Sequence, residues 1–155
     1  MTKKCEICEA PVSNPRFSLC KDCNDSKRLP QLLRIVDSFY KDKHLKREVY
    51  LDIPERLAKL FHQGDLGMNK LRSFFCMVRN AYEAFSLSKD KCFDNVKPQL
   101  WKIITAVEDR TRRKITPPSF LDFMKSGIAI AEKDETGKEL YGFVELFRSI
   151  IAYSR

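Results

Sequence analysis

The chain has 155 residues, 43% of them hydrophobic and 32% charged, and a formal charge of +8. That is the length of one ordinary domain, with apolar material enough to build a core without disulfides. It excludes a disordered polar tail; no apolar run approaches the roughly 18–20 residues of a membrane span. The N-terminus has no apolar leader segment ahead of its first cysteine, which predicts a cytoplasmic protein with reduced thiols.

Residues 1–25 form a unit of their own, with four of the six cysteines, the turn-prone Pro11, Asn14 and Pro15, and no helical periodicity. Cys5, Cys8, Cys20 and Cys23 read C-x2-C-x11-C-x2-C. Each C-x2-C turn lets two sulfurs reach one ion, and two such knuckles complete a tetrahedron of thiolates, the donor set that suits zinc. Iron is one alternative, disfavoured because Glu9 and Asn24 stand where rubredoxin-type knuckles carry glycine; a disulfide pair is the other, disfavoured by the absence of a signal peptide. A closed four-thiolate site leaves no open position, so its role is structural.

From Ser26 onward the period is helical. Leu32, Val36 and Phe39 predict a linking helix over 26–50 that ends in the basic residues Lys41, Lys43, Lys46 and Arg47. A short helix follows Pro54, with Leu57, Leu60 and Phe61 on one face, stopped by Gly64 and Gly67. Leu71, Phe74, Phe75, Val78, Tyr82 and Phe85 make the cleanest apolar stripe, capped by Asn69. A fourth helix carries Phe93, Val96, Leu100, Ile103, Ile104 and Val107, with Pro98 as a kink or its true start. A fifth opens at Thr116-Pro117 and buries Phe120, Met124 and Ile128. The last opens on a capping box, Thr136 to Glu139, and buries Leu140, Phe143, Val144, Phe147 and Ile151. No segment after residue 25 alternates with period two. The fold class is therefore all-α, a bundle of about five helices over 51–155 behind a small N-terminal zinc-ribbon or knuckle-like module.

No catalytic constellation is legible. His44 and His62 have no partner at the spacing of a triad or metal pair. Phosphate-cradling glycine loops and the H-E-x-x-H motif are missing, and Cys76 and Cys92 stand alone with nothing to activate them. The basic excess, spread over all three thirds of the chain, favours a polyanionic partner. On the third helix, Arg72 and Arg79 fall on one flank of the apolar stripe, two turns or roughly 10 Å apart along the axis, a separation that spans successive phosphates of a single strand. On the fourth, Lys97, Trp101 and Arg112 share a flank. Trp101 either stacks on a base there or packs into the bundle.

The run Phe143-Val144-Glu145-Leu146-Phe147-Arg148-Ser149-Ile150-Ile151-Ala152-Tyr153-Ser154-Arg155, together with Asn69-Lys70-Leu71-Arg72 and Lys97-Pro98-Gln99-Leu100, resembles the small subunit of type III-A (Csm-type) CRISPR effector complexes. The family's last helix reads roughly Phe-Val-x-x-Phe-x-x-x-Ile/Val-Ala-Tyr-x-Lys/Arg; its other two motifs are Ser-Gln-Ile-Arg and Lys-Pro-x-Leu. The resemblance covers residues 51–155. Gly67 and Met68 replace the hydroxyl residues that usually precede the second motif. Leu100-Trp101-Lys102 replaces the family's Leu-Ala-Tyr with no Gly-Arg after it, leaving Lys102 or Arg110 to supply that basic contact.

The resemblance implies a non-catalytic helical subunit. Copies of it would stack beside other type III-A subunits and line the groove that holds CRISPR RNA and target RNA. Basic side chains would grip phosphates while base pairing reads the sequence. Lys70, Arg72, Arg79, Lys97, Lys102, Arg110 and Arg112 are the candidate RNA-binding residues. The competing reading is a zinc-ribbon nucleic-acid-binding transcriptional regulator with a helical dimerisation domain.

Overall fold

A computed structural model of the protein describes residues 3–154; Met1 and Thr2, at the start of the cysteine module, and Arg155, the end of the C-terminal run, lie outside the described residues. Six helices follow in order: α1 (Lys21–Asn24), α2 (Ile53–Gln63), α3 (Met68–Leu87), α4 (Lys97–Arg112), α5 (Pro118–Glu132) and α6 (Lys138–Tyr153). A short hairpin, β1 (Tyr40–Lys41) paired antiparallel with β2 (His44–Leu45), lies between α1 and α2. The sequence expectation of an all-α bundle holds: α2 to α6 are its five helices, and α1 is a single turn of the cysteine module.

The C-terminal helix is the centre. α6 packs against α2, α3 and α5, and α4 closes the bundle on α3 and α5. Phe143 and Phe147, one turn apart and fully buried, meet Phe123 from α5 at 5.3 and 5.7 Å between ring centroids. Phe39 stacks on Phe143 at 5.9 Å and Phe75 meets Phe147 at 5.5 Å. Such close approach requires glycine: a Cβ on Gly127 of α5 would lie 2.2 Å from the Phe143 ring, and one on Gly142 of α6 would lie 2.6 Å from Phe39.

The linking helix expected over 26–50 is absent. Two of the three residues that suggested it, Leu32 and Val36, are 49% and 54% exposed, while Leu33, Ile35, Phe39 and Val49 are buried. The apparent period is a coincidence of spacing in a segment of two 3₁₀ turns (Gln31–Leu33 and Arg47–Val49), the hairpin and the extended chain between them, which lays Leu33, Ile35, Phe39 and Val49 inward. Asp37 and Asp42 take positive φ (68° and 59°), which breaks any helix, and Asp42 lies in the turn of the hairpin that the sequence did not reveal. The backbone of this segment finds its partner far away: the Glu139 carboxylate accepts from Phe39 N–H at 2.8 Å and from the Ser38 hydroxyl.

That contact also explains the second departure. The expected capping box at Thr136 and Glu139 does not form, because Glu139 is committed to residues 38 and 39. Asp134 does the capping instead, accepting from Glu139 N–H at 3.0 Å and Thr136 N–H at 3.2 Å. Elsewhere helix starts shift by a residue or two. Gly67 rather than Asn69 precedes α3, Pro117 is the cap residue of α5 with Pro118 in its first turn, and Pro98 lies in the first turn of α4. Phe93 belongs to a separate 3₁₀ turn, Phe93–Asn95.

Two stability measurements follow. Gly127→Ala, favourable by about 1 kcal/mol on helix propensity alone, is expected to destabilise the fold by about 1–3 kcal/mol in urea denaturation, because the Phe143 ring has nowhere to move. For Asp134, burial pushes the carboxyl upward but the backbone donors of Glu139, Thr136 and Lys138 outweigh it, holding the group below the usual carboxylate range. The folded-state pKa is depressed, so the stabilisation is complete above about pH 4 and is lost as pH falls through the depressed value. Asp134→Ala should cost about 1 kcal/mol at neutral pH and progressively less in acid.

Candidate functional site

The four N-terminal cysteines converge. Cys5 begins a tight turn in which Glu9 N–H donates to Cys5 O at 2.9 Å, and Glu9 takes the left-handed conformation (φ 64°) that a knuckle needs at that place even without glycine. Cys20 is the cap residue of α1 and Cys23 its third residue. The two knuckles are held together by Glu6 N–H donating to Ser18 O at 3.0 Å. All four sulfurs lie within 4.8 Å of one another, with Cys8 Sγ and Cys20 Sγ 3.6 Å apart. Four thiolates about 2.3 Å from a tetrahedral ion stand about 3.8 Å apart, so the cluster has the dimensions of a metal site, and it can hold a metal ion. Among the described residues it is the single such group of three or more ligand side chains.

Burial pushes the Cys8 and Cys23 thiols up, and neighbouring sulfurs add to it at Cys23. At Cys5 burial acts upward too, but the backbone N–H groups of Cys8, Cys20 and Ile7 outweigh it and bring the thiol down to about 7. Four thiolates packed this closely need a cation among them. The module is also tied to the bundle. Arg56 of α2 donates to Ile7 O at 3.0 Å and pairs with Glu9 at 3.2 Å, and buried Ser26 donates to Leu60 O at 2.7 Å.

The seven basic candidates fall on three faces of the bundle. Arg72 and Arg79 lie on the flank of α3 that turns toward α6. There the Arg79 guanidinium stands 5.6 Å from the centre of the Phe75 ring and that of Arg148, from α6, 5.8 Å from the same ring. Arg148 is not singled out by the sequence. Its pairing with Phe75 depends on α6 crossing α3, for which no local signal exists. Arg110 turns to the other side of α3, 4.7 Å over Phe74; by helical rotation Lys70 of α3 and Lys102 of α4 belong to that side. Lys97 pairs with Asp94 at 3.1 Å, and Lys97 and Arg112 lie toward α5 with Trp101, which is 50% exposed and donates from Nε1 to Glu132 at 2.8 Å.

His44 on β2 and His62 on α2 are both exposed and on separate elements. Cys76 is half-buried on α3, and Cys92 is exposed in the loop before α4 rather than on a helix. Among the described residues no helix is long and apolar enough to cross a membrane.

A family model described as Csm2 Type III-A matches residues 31–155, about four-fifths of the chain. The chain belongs to that family. It is a small subunit of a type III-A CRISPR effector complex and works alongside that complex's other subunits; the match supports this over the free-standing regulator. The matched region begins at residue 31, earlier than residue 51, where the resemblance read from the sequence starts, and the cysteine module lies wholly outside it. Neither the curated proteins nor the solved structures gave a match.

Elemental analysis of the reduced protein is expected to find one metal ion per chain, and Cys5→Ser or Cys20→Ser to lose it. Freshly purified, reduced protein without metal would remove the metal centre.

Proposed function

We propose that this subunit is a non-catalytic RNA-binding component of its effector complex. In this reading it lines the groove that holds guide and target RNA, copies stack along the complex, and it serves antiviral defence in the cytoplasm. Its contacts are to phosphates and carry no sequence information, because base pairing between guide and target does the reading.

The observation that carries the reading is the arginine cluster between α3 and α6. Arg79 and Arg148 share the Phe75 ring, and Arg72 lies two turns, about 10 Å, before Arg79 on the same flank. Arg72 is exposed, and among the described residues it has no ion-pair partner within 4 Å. Glu83 stands 3.8 Å from Arg79, an exposed pair that is weak and yields to a phosphate; Glu145, its side chain only 12% exposed, holds Arg148 at 2.8 Å through one nitrogen and leaves the rest of that guanidinium to a phosphate. Lys70, Lys97, Lys102, Arg110 and Arg112 would serve a second strand or a neighbouring copy from the other faces.

The metal of the N-terminal module is, in this reading, zinc. It neutralises the four clustered thiolates and supplies the folding energy of the knuckles, on the order of 10–16 kcal/mol. Cys5, Cys8, Cys20 and Cys23 hold it with no position left for substrate.

Arg72→Ala with Arg79→Ala, in effector complex assembled from the full chain, should weaken RNA binding. It should also flatten the log–log salt dependence by about 0.7 for each phosphate that the protein no longer neutralises. Unchanged affinity and slope, with the helical spectrum intact, would overturn the assignment.

A further inference from the structure

Beyond the arginines, the same α3–α6 furrow runs into a pocket of different chemistry. Tyr82 of α3 and Tyr141 of α6 face each other at 5.5 Å between ring centroids, and Tyr40 from the hairpin closes the end. These three of the chain's five tyrosines line a surface cavity of about 420 Å³, with Lys91 and Lys138 at its rim. Lys138 Nζ stands 4.1 Å from the centre of the Tyr40 ring, and Lys91 Nζ 5.9 Å from that of Phe85, where it also donates to Ser86 O. Tyr141 remains 37% exposed, so aromatic surface is open to a ligand.

The acids nearby are largely spoken for. Glu139 accepts from Ser38 and Phe39, Asp134 caps α6, and Glu145 pairs with Arg148. Glu135 is the remaining acid on the cavity lining, against the two ammonium groups.

We infer that this tyrosine pocket stacks an unpaired nucleobase of a single-stranded RNA segment whose phosphates lie on Arg72, Arg79 and Arg148. The inference rests on the RNA-binding reading above and adds to it a base-contacting subsite. Aromatic faces beside fixed cations are the combination that holds single strands without regard to sequence, since every base has a π-face. The cavity admits one nucleotide and not a duplex. Spacing agrees: Tyr82 lies three residues beyond Arg79 and ten beyond Arg72, about 5 and 15 Å along α3, the reach of one to three nucleotides. A protein ligand is the less favoured occupant, because the rim offers two lysines to one free carboxylate.

The test compares Tyr82→Ala/Tyr141→Ala with Tyr82→Phe/Tyr141→Phe in the full chain, using short single-stranded RNA with one 2-aminopurine placed at successive positions. Stacking should quench the probe at one position on the wild type and on the phenylalanine pair. The alanine pair should lose that quenching and about tenfold in affinity, with the salt slope unchanged because no cation is removed. Retained quenching and affinity in a folded alanine pair would overturn the pocket while leaving the arginine reading intact. Loss of binding to the other effector subunits with RNA binding preserved would also overturn it, assigning the pocket to a protein contact. If wild type and alanine pair alike show no quenching, and Arg72→Ala/Arg79→Ala does not alter RNA binding, both readings fall together.

Discussion

The packing of Phe143 and Phe147 governs where the other elements lie. These two rings, one turn apart on α6, are fully enclosed. Phe39, Phe75, Phe120 and Phe123 approach them from the extended segment, α3 and α5. Aromatic pairs at 5–6 Å add to area burial through their preferred geometries, and so fix rotation of each helix about its axis as well as its distance. Gly127 and Gly142 are the complementary half of this constraint, since neither position tolerates a Cβ without displacing a ring.

The proposed RNA-binding surface descends from that core. Phe75 meets Phe147 on its inner edge, and its outer surface is where Arg79 and Arg148 come to rest. On the opposite flank of α3, Phe74 packs on Phe120 while carrying Arg110. Neighbouring phenylalanines thus hold guanidinium groups on two sides of one helix, their aliphatic stems lying on apolar surface and their charges outward. A cation held this way loses less side-chain entropy on meeting a phosphate than one moving freely in water. The basic excess matters here because the core orders part of it.

Much of this is legible in sequence, and the boundary is physical. α2, α3 and α6 are readable because each buries one face at helical spacing, a signal contained in a dozen or so neighbouring residues. The cysteine cluster is readable because its geometry is set within two four-residue turns, and the sulfurs do converge within 4.8 Å. The segment from Ser26 to Tyr50 misleads because its structure is specified from outside. Its Ser38 and Phe39 are held by Glu139, a hundred residues away in sequence, and its burial pattern follows the shape of the bundle it covers. The capping box fails for the same reason, since Glu139 can satisfy a distant backbone or its own helix start but not both.

The basic residues show a subtler limit. Helical rotation places Arg72 and Arg79 on one flank of α3, yet it does not say which neighbour that flank will meet. Once α6 lies there, Arg148 joins Arg79 at the Phe75 ring, and the residues of α4 that look equivalent by charge are carried to other faces. Charge counted along a chain therefore overstates a single binding surface, because each helix divides its cations among the neighbours it packs against. The flank chosen by packing is decided by which aromatic ring fits beside which, and for this subunit Phe75 and Phe147 make that selection.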